Sequence, residues 1–254
     1  MIRIDLNADI GESFNYFKVG NDTEVMKYIT SCNIACGFHS GDPLTIEKTI
    51  DLALENSVSI GAHPSFPDMQ GFGRRYMKMD NEELESTVRY QLYALKGLVE
   101  QHGGKMKHVK PHGALYNTAY QEEEVAEAIM KAIRSVDDQL ILVGPAGRGY
   151  EKWVTEFGLK SASEIFADRN YNDDLSLVNR LKTNAMITDV QQRIEHIKSM
   201  VIDHEVRTIE GSYKPIRADT ICIHGDHPLA LQTAQNLRSA IEEWGIEVRA
   251  FTCE

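Results

Sequence analysis

The sequence predicts a single α/β domain, residues 1–254, built on a parallel β-sheet. Three observations carry this. Strand-like and helix-like patterns alternate along the chain, as in successive βαβ units. No linker, internal repeat or low-complexity segment interrupts them. The length of 254 residues admits two small domains or one barrel, because α/β barrels fill about 200–250 residues as one unit.

The elements follow in order. Residues 2–6 form a short alternating strand, and 22–30 a short helix. The apolar run 31–36 is the next strand. Asp42-Pro43 opens a helix, with Asp as N-cap and Pro in the first turn. Residues 57–62 read as a buried strand. Residues 80–102 read as a long amphipathic helix, with Leu84, Val88, Leu92, Leu95 and Val99 on one face and Gly103-Gly104 as its stop. Strands at 107–110, 139–143, 161–167, 220–223 and 247–251 alternate with helices at 122–136, 150–157, 189–203 and 228–244. The stretch 170–184 is the least regular and reads as a long loop or hairpin.

Composition narrows the function classes. Hydrophobic residues make up 42% of the chain, enough for a large core, which argues against disorder. The formal net charge of -11 repels nucleic-acid phosphates and anionic lipid, so neither is an expected partner. Cys32, Cys36, Cys222 and Cys253 are too few for a disulfide scaffold, and Cys32-x-x-x-Cys36 lacks a second pair at zinc-finger spacing. No secretory signal and no apolar stretch of about 20 residues is present, so the expected location is the cytoplasm.

The polar residues gather where strands end. The segments are 5–12, 37–42, 61–65, 110–114, Asp168-Arg169 and 224–227. In parallel α/β folds the carboxyl ends of the strands face one mouth, where sites are built. Five of the nine histidines, at 39, 63, 112, 224 and 227, occur in these segments, while His102, His108, His196 and His204 do not. Gly71-Phe72-Gly73-Arg74-Arg75 offers paired guanidinium groups for carboxylate or phosphate. Residues 144–149 (GPAGRG) are not a Walker A loop, since Lys-Ser/Thr is missing, and no G-x-S-x-G elbow occurs.

Residues 5–14 (DLNADIGESF), 33–43 (NIACGFHSGDP), 61–68 (GAHPSFPD), 71–75 (GFGRR), 109–117 (VKPHGALYN), 164–171 (EIFADRNY) and 217–226 (RADTICIHGD) together resemble the 5-oxoprolinase A-subunit family, also called the LamB/YcsF family. The segments stand in family order and span nearly the whole chain. The resemblance implies a distorted seven-stranded β/α barrel like that of the glycoside hydrolase/deacetylase superfamily. It implies ATP-dependent opening of 5-oxo-L-proline, a cyclic amide, to L-glutamate with release of ADP and phosphate. It also implies two partner subunits resembling a carboxylase/allophanate-hydrolase pair. One departure stands at Asp174-Leu175 and Thr183-Asn184-Ala185, where the family tends to have Asp-Gly and Pro-Gly-Ala.

In such a reaction ATP phosphorylates the amide oxygen, water attacks C5, and the adduct opens the ring and releases phosphate with a second water. The site then needs a base, cations for phosphoryl oxygens and a clamp for the substrate carboxylate. Asp9 or His39 is the expected base, with His63 and His112 orienting water or substrate. Lys110, Arg74 and Arg75 are expected to bind anionic groups, and Asp226 and Glu12 to hold Mg²⁺ through water. Asn7, Asp168, Arg169 and His224 complete the expected substrate- and phosphate-binding set. The alternative is a metal-dependent deacetylase or amidohydrolase acting without ATP, in which Asp9, His63 and His112 bind zinc and leave one position open. A third reading is a ligand-binding subunit without turnover.

Overall fold

Strand β1 (Arg3–Ile10) shows how the chain builds its sheet. Its even positions Ile4, Leu6, Ala8 and Ile10 join an apolar cluster with Ile50, Val88 and Leu237. Its odd positions Asp5, Asn7 and Asp9 are equally buried. They instead meet residues on the inner side of the sheet: Asn7 donates to Glu164 and Thr220, and Asp9 accepts from Lys110. Period-two alternation thus sends apolar side chains outward against helices and polar ones inward. The strand runs four residues beyond the expected 2–6, because its polar positions are interior ones.

The computed structural model describes residues 2–147, 149–225 and 229–251. The remaining wall strands are β2 (Ser31–Ala35), β3 (Ser59–His63), β4 (Met106–Val109), β5 (Ile141–Pro145) and β6 (Lys160–Phe166). A separate antiparallel hairpin follows, β7 (Glu205–Arg207) and β8 (Tyr213–Pro215). Strand β9 (Thr220–Ile223) then pairs in parallel with both β6 and β1. The order β1-β2-β3-β4-β5-β6-β9 therefore closes into the expected seven-stranded parallel barrel. Strand β10 (Glu247–Val248) adds to the start of β1. Near the amino-terminal end of β5, Ile141, Val143 and Ala162 pack with Phe251, whose ring meets His108 at 5.2 Å.

The helices are α1 (Asp22–Val25), α2 (Pro43–Glu55), α3 (Asn81–Gln101), α4 (Gly113–Ala119), α5 (Glu123–Val136), α6 (Tyr150–Glu156), α7 (Val190–Lys198) and α8 (Ala230–Glu243). The Asp42 side chain caps α2 by accepting from the amides of Leu44 and Thr45 at 3.1 Å, as its sequence suggests. Helix α3 buries Leu84, Val88, Leu92, Leu95 and Val99, each contributing about 1.5–3 kcal/mol. The expected helix 189–203 is α7 plus a π-helical turn (Ser199–Asp203), ended by His204 at φ 56°. Sequence periodicity did not reveal α4 or the β7–β8 hairpin. The segment 170–184 contains no helix or ladder strand; it is fastened by bridges Arg169–Met186 and Tyr171–Leu177. Among the described residues no helix is long and apolar enough to cross a membrane.

Candidate active site

The barrel interior is organised around one buried ammonium. Lys110 follows β4, and its Nζ lies 3.0 Å from Asp9, 2.8 Å from Glu164, 3.3 Å from Asn7 Oδ1 and 3.0 Å from Cys222 Sγ. Burial would favour the neutral amine, but Asp9, Cys222 and Glu164 outweigh it and raise the Lys110 pKa well above its ordinary value. Burial likewise pushes Asp9 up, yet His63 and Lys110 hold it well below the usual carboxylate range. Asn33 donates to both Asp9 and Asn7, at 2.9 and 2.8 Å, and the Tyr116 hydroxyl donates to Glu164 at 2.9 Å. The network thus fixes a cation between two anions with few free rotations.

His108 supports this floor from below. Its Nε2 donates to Asn33 Oδ1 at 2.9 Å. Burial pushes its pKa down to about 3, with Lys110 adding to the effect. The ring fits only because position 61 is glycine: a Cβ there would stand 2.1 Å from His108 Nε2.

Above the network, three imidazoles and a carboxylate converge. His63 Nδ1 lies 2.6 Å from the Lys110 carbonyl, and His112 Nε2 lies 2.8 Å from the Phe72 carbonyl. A carbonyl only accepts, so both of these nitrogens carry hydrogen. The remaining nitrogens, His63 Nε2 and His112 Nδ1, face each other at 2.9 Å. As neutral rings they present lone pair to lone pair, and the pair is satisfied only by a proton or a cation. Burial pushes both His112 and His39 toward the neutral form. His39 stacks on His112 at 3.8 Å, and its Nε2 is 3.2 Å from Glu12. One donor atom each from Glu12, His39, His63 and His112 lies within 4.8 Å of the others. Asp9 Oδ2 is 3.5 Å from His63 Nε2. These residues could hold a divalent cation, since nitrogen and oxygen donors suit zinc.

A second group flanks Asp9 on the β6–β9 side. His224 Nδ1 donates to Asp168, at 3.0 and 3.1 Å from its two oxygens, and Arg180 donates to His224 Nε2 at 2.9 Å. A His224 ring nitrogen, an Asp9 oxygen and Cys222 Sγ lie within 4.8 Å of one another. Arg169 donates to the Val178 carbonyl at 2.7 Å.

The structure brings most of the expected site residues together. Asp9, Glu12, His63, Arg74, Lys110, His112, Arg169 and His224 line one cavity of about 700 Å³. His39 stands behind His112, Asn7 lies deeper in the barrel, and Asp168 backs His224. Arg75 is not part of the lining. Its guanidinium is engaged by the buried Asp68 carboxylate, and its side chain is 63% exposed. Asp226, like His227, lies outside the described residues. The cation-type cluster also differs in membership from the expected Asp9, His63 and His112: Glu12 and His39 join the two histidines, while Asp9 groups instead with Cys222 and His224. Sequence reasoning missed Asn33, Tyr116, Glu164, Cys222 and Arg180. The signal for the interior ones was present as polar residues at alternate strand positions, such as 5, 7, 9 in β1 and 31, 33 in β2.

Comparison with known proteins follows the same lines. Residues 4–254 match the model of the LamB/YcsF family. The chain is 49% identical over 247 residues to the A-subunit of 5-oxoprolinase from Pyrococcus abyssi, covering 97% of each chain. It superimposes on the crystal structure of a lactam utilization protein from Thermus thermophilus with a TM-score of 0.93 and 41% identity, covering 98% of this chain and 100% of that one. A family 4 carbohydrate esterase from Streptomyces lividans shares the fold alone, with a TM-score of 0.50 and 10% identity over 98% of this chain and 93% of that one. The closed seven-stranded barrel and the nearly complete match lead to one conclusion: the chain belongs to the LamB/YcsF family.

Proposed function

We infer that this chain is the A-subunit of a 5-oxoprolinase, which opens 5-oxo-L-proline to L-glutamate while ATP becomes ADP and phosphate. The observation that carries this reading is the 49% identity, over 97% of both chains, to a protein named as the A-subunit of 5-oxoprolinase. The cavity chemistry supports it. A five-membered lactam has amide resonance and little ring strain, so water alone opens it slowly. Transfer of a phosphoryl group from ATP to the amide oxygen makes C5 an electrophile. Water adds to C5, the C5–N bond breaks, and a second water releases phosphate from the resulting acyl phosphate. The ring nitrogen ends as the amine of glutamate.

Lys110, held cationic, lines the cavity, as Arg74 does, and stabilises oxygens on which negative charge develops. Asp9 and His63 Nε2 receive the proton of the attacking water. His63 is set for this because its other nitrogen is tied to the Lys110 carbonyl. If Glu12, His39, His63 and His112 held a cation instead, it would supply Lewis acidity there, His63 Nε2 would be a ligand, and Asp9 alone would take the proton.

The chain lacks a Walker A loop, so we assign the handling of ATP phosphates jointly to this cavity and to two partner subunits of the carboxylase/allophanate-hydrolase type. Mg²⁺ would accompany the nucleotide. The buried free thiols of Cys32, Cys36 and Cys222 fit a reducing, cytoplasmic location. The test is glutamate release from 5-oxo-L-proline by the purified chain with its two partner subunits. Release is expected only with ATP and all subunits present. Lactam opening by this chain alone without ATP, together with stoichiometric zinc by elemental analysis, would overturn the reading in favour of an ATP-independent amidohydrolase.

A further inference from the structure

We propose that Arg180 recognises the carboxylate of the lactam acid and, by moving onto it, releases His224 Nε2 to accept the neighbouring ring N–H. The proposal rests on 5-oxo-L-proline being the substrate, as inferred above, and it names a recognition device for it.

The geometry begins with the tautomer of His224. Asp168 accepts from Nδ1, so the imidazole carries its hydrogen there and presents a lone pair at Nε2. Arg180 occupies that lone pair at 2.9 Å. In this arrangement the His224 ring has no nitrogen free for a ligand. Arg180 itself is exposed and sits in the loop 175–182, which walls the cavity. Its contact there is with a neutral nitrogen, a weaker acceptor for a guanidinium than a carboxylate.

The surroundings favour an incoming anion. Lys110, Arg74, Arg169, Arg180 and Lys182 all line the cavity of a chain with net charge -11. Arg169 is 6% exposed, and its Nε is buried without a hydrogen-bond partner. Burial and the nearby Arg180 charge push its pKa down to about 10. Asp168, the carboxylate beside Arg169, is already engaged by His224. Two guanidinium groups are therefore short of negative charge, and a carboxylate placed between loop and wall supplies it.

The substrate has matching spacing. In 5-oxoproline the carboxylate is attached to the ring carbon next to nitrogen, so acceptor and N–H are adjacent. In the protein the guanidinium and Nε2 are hydrogen-bonded neighbours. A carboxylate that draws Arg180 away leaves Nε2 facing the N–H of the same molecule. A lactam without the carboxylate must compete with Arg180 for Nε2.

The test uses the full chain, Arg180→Gln and Arg180→Lys. Calorimetric binding is measured for 5-oxo-L-proline, 2-pyrrolidone and inorganic phosphate. We expect wild type to prefer 5-oxo-L-proline over 2-pyrrolidone, and Arg180→Gln to weaken the acid about 10- to 100-fold while 2-pyrrolidone binds as well or better. Arg180→Lys should recover part of the preference. Carbethoxylation of His224 by diethyl pyrocarbonate, followed by peptide mass, should be several-fold faster in Arg180→Gln than in wild type. Equal weakening of both lactams, or an unchanged His224 reaction rate, overturns the proposal. Phosphate binding that depends on Arg180 while the lactam acid does not would reassign the position to a phosphoryl group and overturn the carboxylate assignment. The glutamate-release assay tests the substrate reading separately, because it uses unmodified chains only.

Discussion

His63 and His112 each commit one ring nitrogen to a backbone carbonyl, whereas His224 commits both of its nitrogens to side chains. The two groups flank the same carboxylate, Asp9. A carbonyl on a strand end or a tight turn moves only if the fold moves. A guanidinium on an exposed loop moves by rotating its own bonds. The β3–β4 wall therefore holds a fixed geometry, suited to placing a water or a cation. In the proposal above, the β6–β9 wall exchanges partners to receive a substrate. Preorganisation and adaptability are thus separated in space, with the Lys110 network beneath both.

The largest effect should come from the fixed side. Lys110→Met leaves Asp9 and Glu164 buried without their counter-charge, which costs about 3–5 kcal/mol. A urea unfolding curve should show that loss, and glutamate release should disappear. Arg180→Gln in the same assay should stay within about 0.5 kcal/mol of wild type, as expected for an exposed position. Similar losses in the two variants would erase the contrast between the walls.

The bottom of the interior supplies a pH signature of comparable size. Asp5 accepts from the hydroxyls of Thr30, Ser31 and Thr220, and burial raises its pKa from 3.8 to about 6 despite them. The folded state therefore binds this proton more tightly than the unfolded state. The penalty is absent below about pH 4, grows as pH rises, and is complete above about pH 6. The gap between 3.8 and about 6 corresponds to about 3 kcal/mol. Asp5→Asn should remove this loss. Its stability relative to wild type should rise between pH 4 and 6 in thermal melts, and a flat difference across that window would contradict the burial argument.

Gly73→Ala probes the histidine wall directly. Position 73 has φ 64°, and a Cβ there would lie 2.7 Å from the His112 ring and 2.8 Å from His39 Cβ. Strain and crowding together cost about 1–3 kcal/mol. Because the crowding pushes on the ring that faces His63, turnover should fall about 100-fold, as for a catalytic group displaced by about 1 Å. Stability loss with full turnover would mean that the facing nitrogens of His63 and His112 are not used.

Much of this arrangement was legible in the sequence, for a physical reason. Strand ends in a parallel barrel must share one mouth, so the polar segments at the carboxyl ends of β1, β3 and β4 brought Asp9, His63 and Lys110 together wherever the helices packed. The helix cap at Asp42 and the stripe on α3 are local and were equally readable. Asn33 left its trace as a polar alternation in β2, but that trace was not decisive for it, nor was any for Glu164 and Cys222, because both faces of a barrel strand are buried and polarity inside a strand does not say which face it occupies. Arg75 was misplaced because its partner Asp68 is seven residues away in a turn whose shape only the fold determines. Arg180 lies in an irregular segment with no period to read, 44 residues before the histidine it meets.

That irregular segment also offers the smallest and most discriminating change. Leu175 adopts φ 62°, a left-handed conformation that costs a side-chain-bearing residue about 1–2 kcal/mol. The same side chain is buried in the cavity wall, and that burial contributes about 1.5–3 kcal/mol. Leu175→Gly removes both terms, so their near-cancellation leaves stability within about 1 kcal/mol of wild type in urea unfolding. The loop that carries Arg180 then loses an apolar anchor, and 5-oxo-L-proline should bind a few-fold more weakly with little change in the folding midpoint. The reverse pattern, a large stability loss with unchanged binding, would show the β6–β9 wall to be as rigid as the wall that carries His63, and the division of labour between them would fail.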